Sequence, residues 1–101
     1  MSGPQNALAT YVVTPTGKAL GYRQISSLGS AVGLTPPSGA LVAVIVAEGA
    51  AVRWRDDGTA PTGSLGMPLA AGGQMTYAGD LGAIQFIEQA DGAALDVSYY
   101  G

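Results

Sequence analysis

The sequence contains no cysteine and no histidine. Without cysteine there is no disulfide, no thiolate metal ligand and no thiol nucleophile, and the redox state of the compartment leaves no mark on the chain. Without histidine the commonest general base is missing, so any catalysis would have to rest on carboxylates, Ser, Thr, Tyr or Lys. Charge is scarce as well. Only 11% of the 101 residues are charged, less than half of the roughly 25% of an ordinary soluble domain. Four cations, Lys18, Arg23, Arg53 and Arg55, stand against seven acids for a formal net charge of −3, which leaves no basic footprint for nucleic acid. The longest apolar run, Ala40 to Ala47, falls far short of the ~20 residues that cross a bilayer, so no membrane span is expected. Met1 to Asn6 lack the basic and apolar regions of a secretory signal, and synthesis in the cytoplasm is the expectation.

What the chain has in quantity is glycine and short apolar stretches. Sixteen glycines and six prolines interrupt it so often that few windows could hold a three-turn helix. The intervening stretches favour Val, Ile, Tyr and Thr, which suit a pleated, half-buried surface. Ala9 to Thr14 reads as a strand stopped by Pro15 and turned by Thr16-Gly17. Lys18 to Ile25 reads as a second strand, with Leu20, Tyr22 and Gln24 on one face. Ser26 to Gly39 is a long loop or crossover anchored by Leu34. Ala40 to Ala47, apolar on both faces, is expected to be a central strand covered on both sides. In Ala50 to Arg55, Val52 and Trp54 point one way and Arg53 and Arg55 the other. Thr59 to Leu69 is too rich in turn residues to be regular, although Leu65, Met67 and Leu69 alternate as a sheet edge would. Gln74 to Tyr77, Leu81 to Glu88 (Ile84 and Phe86 on one face) and Leu95 to Tyr100 complete the set. Asp91-Gly92 is the dipeptide of a tight hairpin.

The expected fold is all-β: a small β-sandwich or barrel of six to seven short antiparallel strands, in a single domain over residues 1–101. Residues 1–39 would include an arm or long loop that docks on a neighbour. A chain this small buries a modest fraction of its surface, and one this poor in charge is expected to complete itself against other protein, as a homo-oligomer or in a larger assembly.

No catalytic residue, cofactor-binding residue or metal ligand emerges, and an enzyme is not expected. The adjacent Asp56 and Asp57 precede Gly58 at the end of a strand, where turn chemistry accounts for them. A calcium site from Asp56, Asp57 and Asp80 lacks the spaced ligand loop such a site uses. Gly63 to Gly66 and Ala71 to Gly73 lack the Gly-Lys-Ser/Thr of a phosphate loop. Two readings of Arg53 and Arg55 stand side by side: pairing with Asp56 and Asp57 around the turn, or anchoring a protein interface beside Trp54, where Arg and Trp are over-represented. The candidate interface residues are Arg53, Trp54, Arg55, Pro61, Leu65, Met67 and Leu69. The alternative is a carbohydrate-binding β-sandwich acting in host adsorption, with Trp54, Tyr77, Tyr99 and Tyr100 as its platform.

The string Val52-Arg53-Trp54-Arg55-Asp56-Asp57-Gly58-Thr59-Ala60-Pro61-Thr62, followed by Gly66-Met67-Pro68-Leu69, resembles one found in small proteins encoded among the structural genes of tailed bacteriophages. The likeness continues through Gly79-Asp80-Leu81, Ile84 to Ile87 and Leu95 to Tyr100, roughly the last two thirds of the chain. It implies a structural virion protein, a capsid decoration or cement protein or a small neck or tail component. Its partners would be other virion proteins, and it would transfer no catalytic residues.

Overall fold

The structure, a computed structural model, describes residues 17–101; the strand expected over residues 9–14 and its stop at Pro15 lie outside the described residues. Among the described residues there are eight strands and no helix: β1 (Ala19–Ile25), β2 (Val32–Gly33), β3 (Val42–Glu48), β4 (Val52–Arg55), β5 (Met67–Leu69), β6 (Gln74–Tyr77), β7 (Gln85–Glu88) and β8 (Ala94–Tyr100). They form two four-stranded sheets, ordered β1-β8-β3-β6 and β2-β7-β4-β5, and every pairing is antiparallel. The all-β sandwich is the fold the sequence calls for. Two of its strands, β2 and β5, are pieces of two and three residues inside stretches that read as loops.

The strand order has a simple geometric origin. β1 pairs with β8, β2 with β7, β3 with β6 and β4 with β5, which is one long antiparallel hairpin whose tip is the β4–β5 loop. The hairpin is wrapped on itself so that β3 also meets β8 and β4 meets β7. That is the jelly-roll form of the sandwich. Every connection except β4–β5 therefore crosses between sheets, and this corrects the local reading of Asp91-Gly92. Gly92 does turn the chain with φ +95°, but β7 and β8 belong to different sheets and form no hairpin.

The core lies between the sheets. β8 alternates Leu95, Val97 and Tyr99 inward, β3 contributes Ala43, Ile45 and Ala47, and the opposite sheet adds Val52 and Phe86, with Ile84 just ahead of β7. This is the period-2 alternation of a half-buried strand. The buried Tyr99 hydroxyl is not orphaned, because the Thr35 amide donates to it at 3.3 Å. The segment 26–39 runs from one sheet to the other and back, so residues 17–39 supply β1, β2 and their loops to the sandwich. Leu34 is buried as expected, and Leu28, which the sequence did not single out, is completely so.

Two local expectations are corrected. β3 is an inner strand, but its outward residues Val42, Val44 and Val46 are only half-buried, since no layer lies over that face. In β1 the pairing with β8 shifts between Ala19 and Gly21. That irregularity separates Leu20, which packs on the core, from Tyr22 and Gln24, which both donate to Asp96 Oδ1 on the outer face at 2.9 and 3.1 Å. Glu48 shares this cluster: its hydrogen bond with Asp96 raises its own pKa and lowers that of Asp96.

Glycine is required where loops meet at the end of the sandwich that holds Glu48 and Ala94. Gly49 has φ +83°, and a Cβ there would run into the Gly92 carbonyl; Gly58 has φ +87° but open space around it. Gly49→Ala is therefore expected to destabilise the fold more than Gly58→Ala, which bears only the backbone strain of about 1–3 kcal/mol. Truncating the fully buried Phe86 to Ala should cost about 3–5 kcal/mol. Urea denaturation of the three variants ranks them; equal losses at Gly49 and Gly58 would contradict the packing of the two turns.

Candidate functional site

At the opposite end of the sandwich three loops converge, residues 34–41, 56–66 and 78–84, beside the point where Gly17 meets Gly101. β4 delivers its last residues to this end. Val52 and Trp54 share the inward face, but only Val52 is sealed in; Trp54 lies at the margin, half-buried, with its ring edge-on to Tyr77 of the other sheet (centroids 6.1 Å apart, planes at 63°). Edge-to-face geometry of this kind is favourable for aromatic pairs. On its other side Trp54 is in register with Met67 at the start of β5.

The loop between β4 and β5 is folded back sharply. Thr62 and Leu65 exchange backbone hydrogen bonds of 2.9 and 3.2 Å, which forces the intervening Gly63 and Ser64 into a tight turn. Gly66 follows at φ +142°, close against the Trp54 carbonyl and Pro61. Arg53, on the outer face of its sheet, donates to the Gly66 carbonyl at 2.8 Å and, with the Gln89 amide oxygen turned toward it, to Gln89 at 3.2 and 3.3 Å. Held this way, the loop presents Leu65 and Met67 to solvent, 59% and 56% exposed, beside Trp54. Together they bound an open groove of about 540 Å³ whose remaining wall is Arg55, Asp56 and Asp57. Apolar side chains this exposed, grouped and rimmed by charge are the pattern of a contact surface.

The charged wall is internally ordered. Arg55 holds Asp57 through two contacts, Nε to Oδ1 at 3.1 Å and Nη2 to Oδ2 at 2.5 Å. The guanidinium keeps the Asp57 carboxyl below its usual range, and the carboxylate in turn raises Arg55. Asp56 is engaged differently: the Tyr77 hydroxyl donates to its Oδ2 at 2.6 Å. Burial first, then that hydrogen bond, pushes the Tyr77 hydroxyl up to about 12.

Of the seven residues singled out from sequence, the fold brings Trp54, Arg55, Leu65 and Met67 together around the groove. Arg53 acts from behind, as the prop of the loop. Pro61 and Leu69 do not line the groove: Pro61 is buried, and Leu69, paired with Val52, is partly buried against the core. Arg55 is paired with Asp57 around the turn and also lines the groove. The partner of Asp56 is Tyr77, 21 positions away, and no local pattern joins them. Tyr77 and Tyr99 are buried, which removes them from any exposed aromatic platform. Asp56, Asp57 and Asp80 do not assemble a metal site: Asp80 instead accepts the Gly82 amide at 3.0 Å, and among the described residues no three acidic groups converge on a point.

No protein-family model matches the chain, and neither does any curated protein or any solved structure. Fold and groove define the described residues on their own terms as a small jelly-roll sandwich with an open apolar groove beside Trp54 at its loop end.

Tyr77 offers a direct check of this geometry. Its folded pKa lies above the unfolded value of 10, so its contribution to stability is complete below pH 10 and is lost as the pH rises toward about 12. Ultraviolet titration should show one tyrosine ionising near pH 12, and Tyr77→Phe should abolish that component. Persistence of the component in the variant would assign it to another tyrosine and contradict the burial and hydrogen bonding of Tyr77.

Proposed function

We propose that the protein is a non-enzymatic assembly module, a structural subunit that works by burying the groove around Trp54 against another protein chain. The observation that carries this reading is the pairing of Leu65 and Met67, more than half exposed, with a half-buried tryptophan in a chain of which only 11% is charged. Exposing them costs solvation free energy that a partner would recover. The resemblance of residues 52–62 and 66–69 to small tailed-phage proteins supports placing the subunit in a virion, as a capsid decoration or cement protein or a neck or tail component, with other virion proteins or further copies of itself as partners. The jelly roll hosts viral capsid domains and lectins alike, so the architecture does not choose between contact with protein and contact with sugar.

The second reading, a carbohydrate-binding module in host adsorption, draws on one observation: Trp54 shares its groove with two carboxylates able to accept hydrogen bonds from hydroxyls. Against it, the tyrosines that would extend the platform are buried at positions 77 and 99, and two of the groove's walls are aliphatic or thioether side chains.

The experiment is a mass measurement by multi-angle light scattering over a concentration series, with the chain sought in purified particles by mass spectrometry. Leu65→Ser with Met67→Ser removes exposed apolar surface without touching the core, and should weaken self-association or incorporation by about tenfold or more. A wild-type chain that stays monomeric and absent from particles, or a double variant that assembles unchanged, would overturn the assignment.

A further inference from the structure

We infer that the groove receives a cationic side chain, arginine or lysine, presented with apolar neighbours by a segment of the partner protein; the inference rests on reading the groove as a protein-contact surface. The charges on its wall do not cancel. Arg55 is committed to Asp57 by two contacts, and that is the single ion pair among the described residues, which leaves Asp56 with no cation. Tyr77 donates to one Asp56 oxygen only, and the other accepts no hydrogen bond from the described residues. The groove thus carries one net negative charge at the rim of an apolar floor.

The rest of the lining suits the same occupant. An indole is the best aromatic partner for a cation, and Trp54 lines the groove beside Asp56. Leu65 and Met67 offer apolar surface for the methylene stem of an arginine or lysine and for the residues flanking it, the unbranched Met67 adapting to their shape. A saccharide would instead require several polar groups spread around the ring it stacks on, and Leu65 and Met67 supply none. Charge and apolarity together point to a basic, apolar peptide segment.

Trp54 is the only tryptophan in the chain, so its fluorescence reports occupancy of the groove without a label. The full chain is titrated with acetyl-Leu-Arg-Leu-amide and with acetyl-Leu-citrulline-Leu-amide, which keeps the shape and removes the charge. The arginine peptide should change the emission saturably, bind about tenfold tighter than the citrulline peptide, and lose that advantage as salt is raised. Asp56→Asn retains an oxygen that accepts from Tyr77 and should abolish the discrimination while circular dichroism and melting stay as in the wild type. Equal affinity for the two peptides, or discrimination that survives in D56N, overturns the inference, as does saturable binding of a maltooligosaccharide with neither peptide binding. Assembly that depends on Leu65 and Met67 without preference for the arginine peptide would remove the cationic occupant and leave the assembly reading standing. Preference for the arginine peptide in a chain that never assembles would do the reverse.

Discussion

Everything in this molecule depends on two sheets hiding one apolar face each from water. A chain with no disulfide and a single ion pair among its described residues has little besides burial to offset the entropy of folding. The wrapped hairpin meets that demand economically. Consecutive strands face each other across the core, so Val52 of β4 and Ile45 of β3, seven residues apart in sequence, belong to one cluster, and Phe86 and Leu95 approach it from the neighbouring pair. Nearly every loop then becomes a bridge between sheets, which is why the turns at Gly49 and Gly92 press on each other at one end.

The groove follows from the unequal reach of the two sheets. β1, β3 and β8 have seven residues each, while no strand of the other sheet exceeds four. β4 ends at Arg55, and Trp54 is its last inward residue, edge-on to Tyr77 of the other sheet. Arg53 fixes the returning loop from outside, and Leu65 and Met67 line the groove beside Trp54. Covering that groove with another chain is the function proposed for it.

Much of this was legible along the chain. Alternation placed Ile84 and Phe86, Leu95, Val97 and Tyr99, and Val52 with Trp54 on the faces they occupy, because a strand's period of two is a local property. The same locality explains the misreadings. Asp91-Gly92 has the chemistry of a hairpin turn, but a turn does not know which sheet its second strand will join. Leu20 left its expected face because a bulge in β1 arises from pairing with β8, more than seventy residues away. Pro61 and Leu69 stood in a loop that looked exposed, and only its folding back over the sheet end buried one and tucked the other against the core.

Sequence by itself determined the class: all-β, poor in charge, without the side chains of thiol or imidazole chemistry, with its one tryptophan set between two arginines on a strand. Those are properties of composition and of period-2 pattern, and they survive any arrangement of the strands. Tertiary structure alone decided the jelly-roll order, the partnership of Tyr77 with Asp56, and the split by which, among the described residues, Asp57 is paired with a cation and Asp56 is not. These are contacts between residues whose separation in sequence says nothing about their separation in space, or, for the adjacent Asp56 and Asp57, a choice between two alike carboxylates that only the surrounding loop could make.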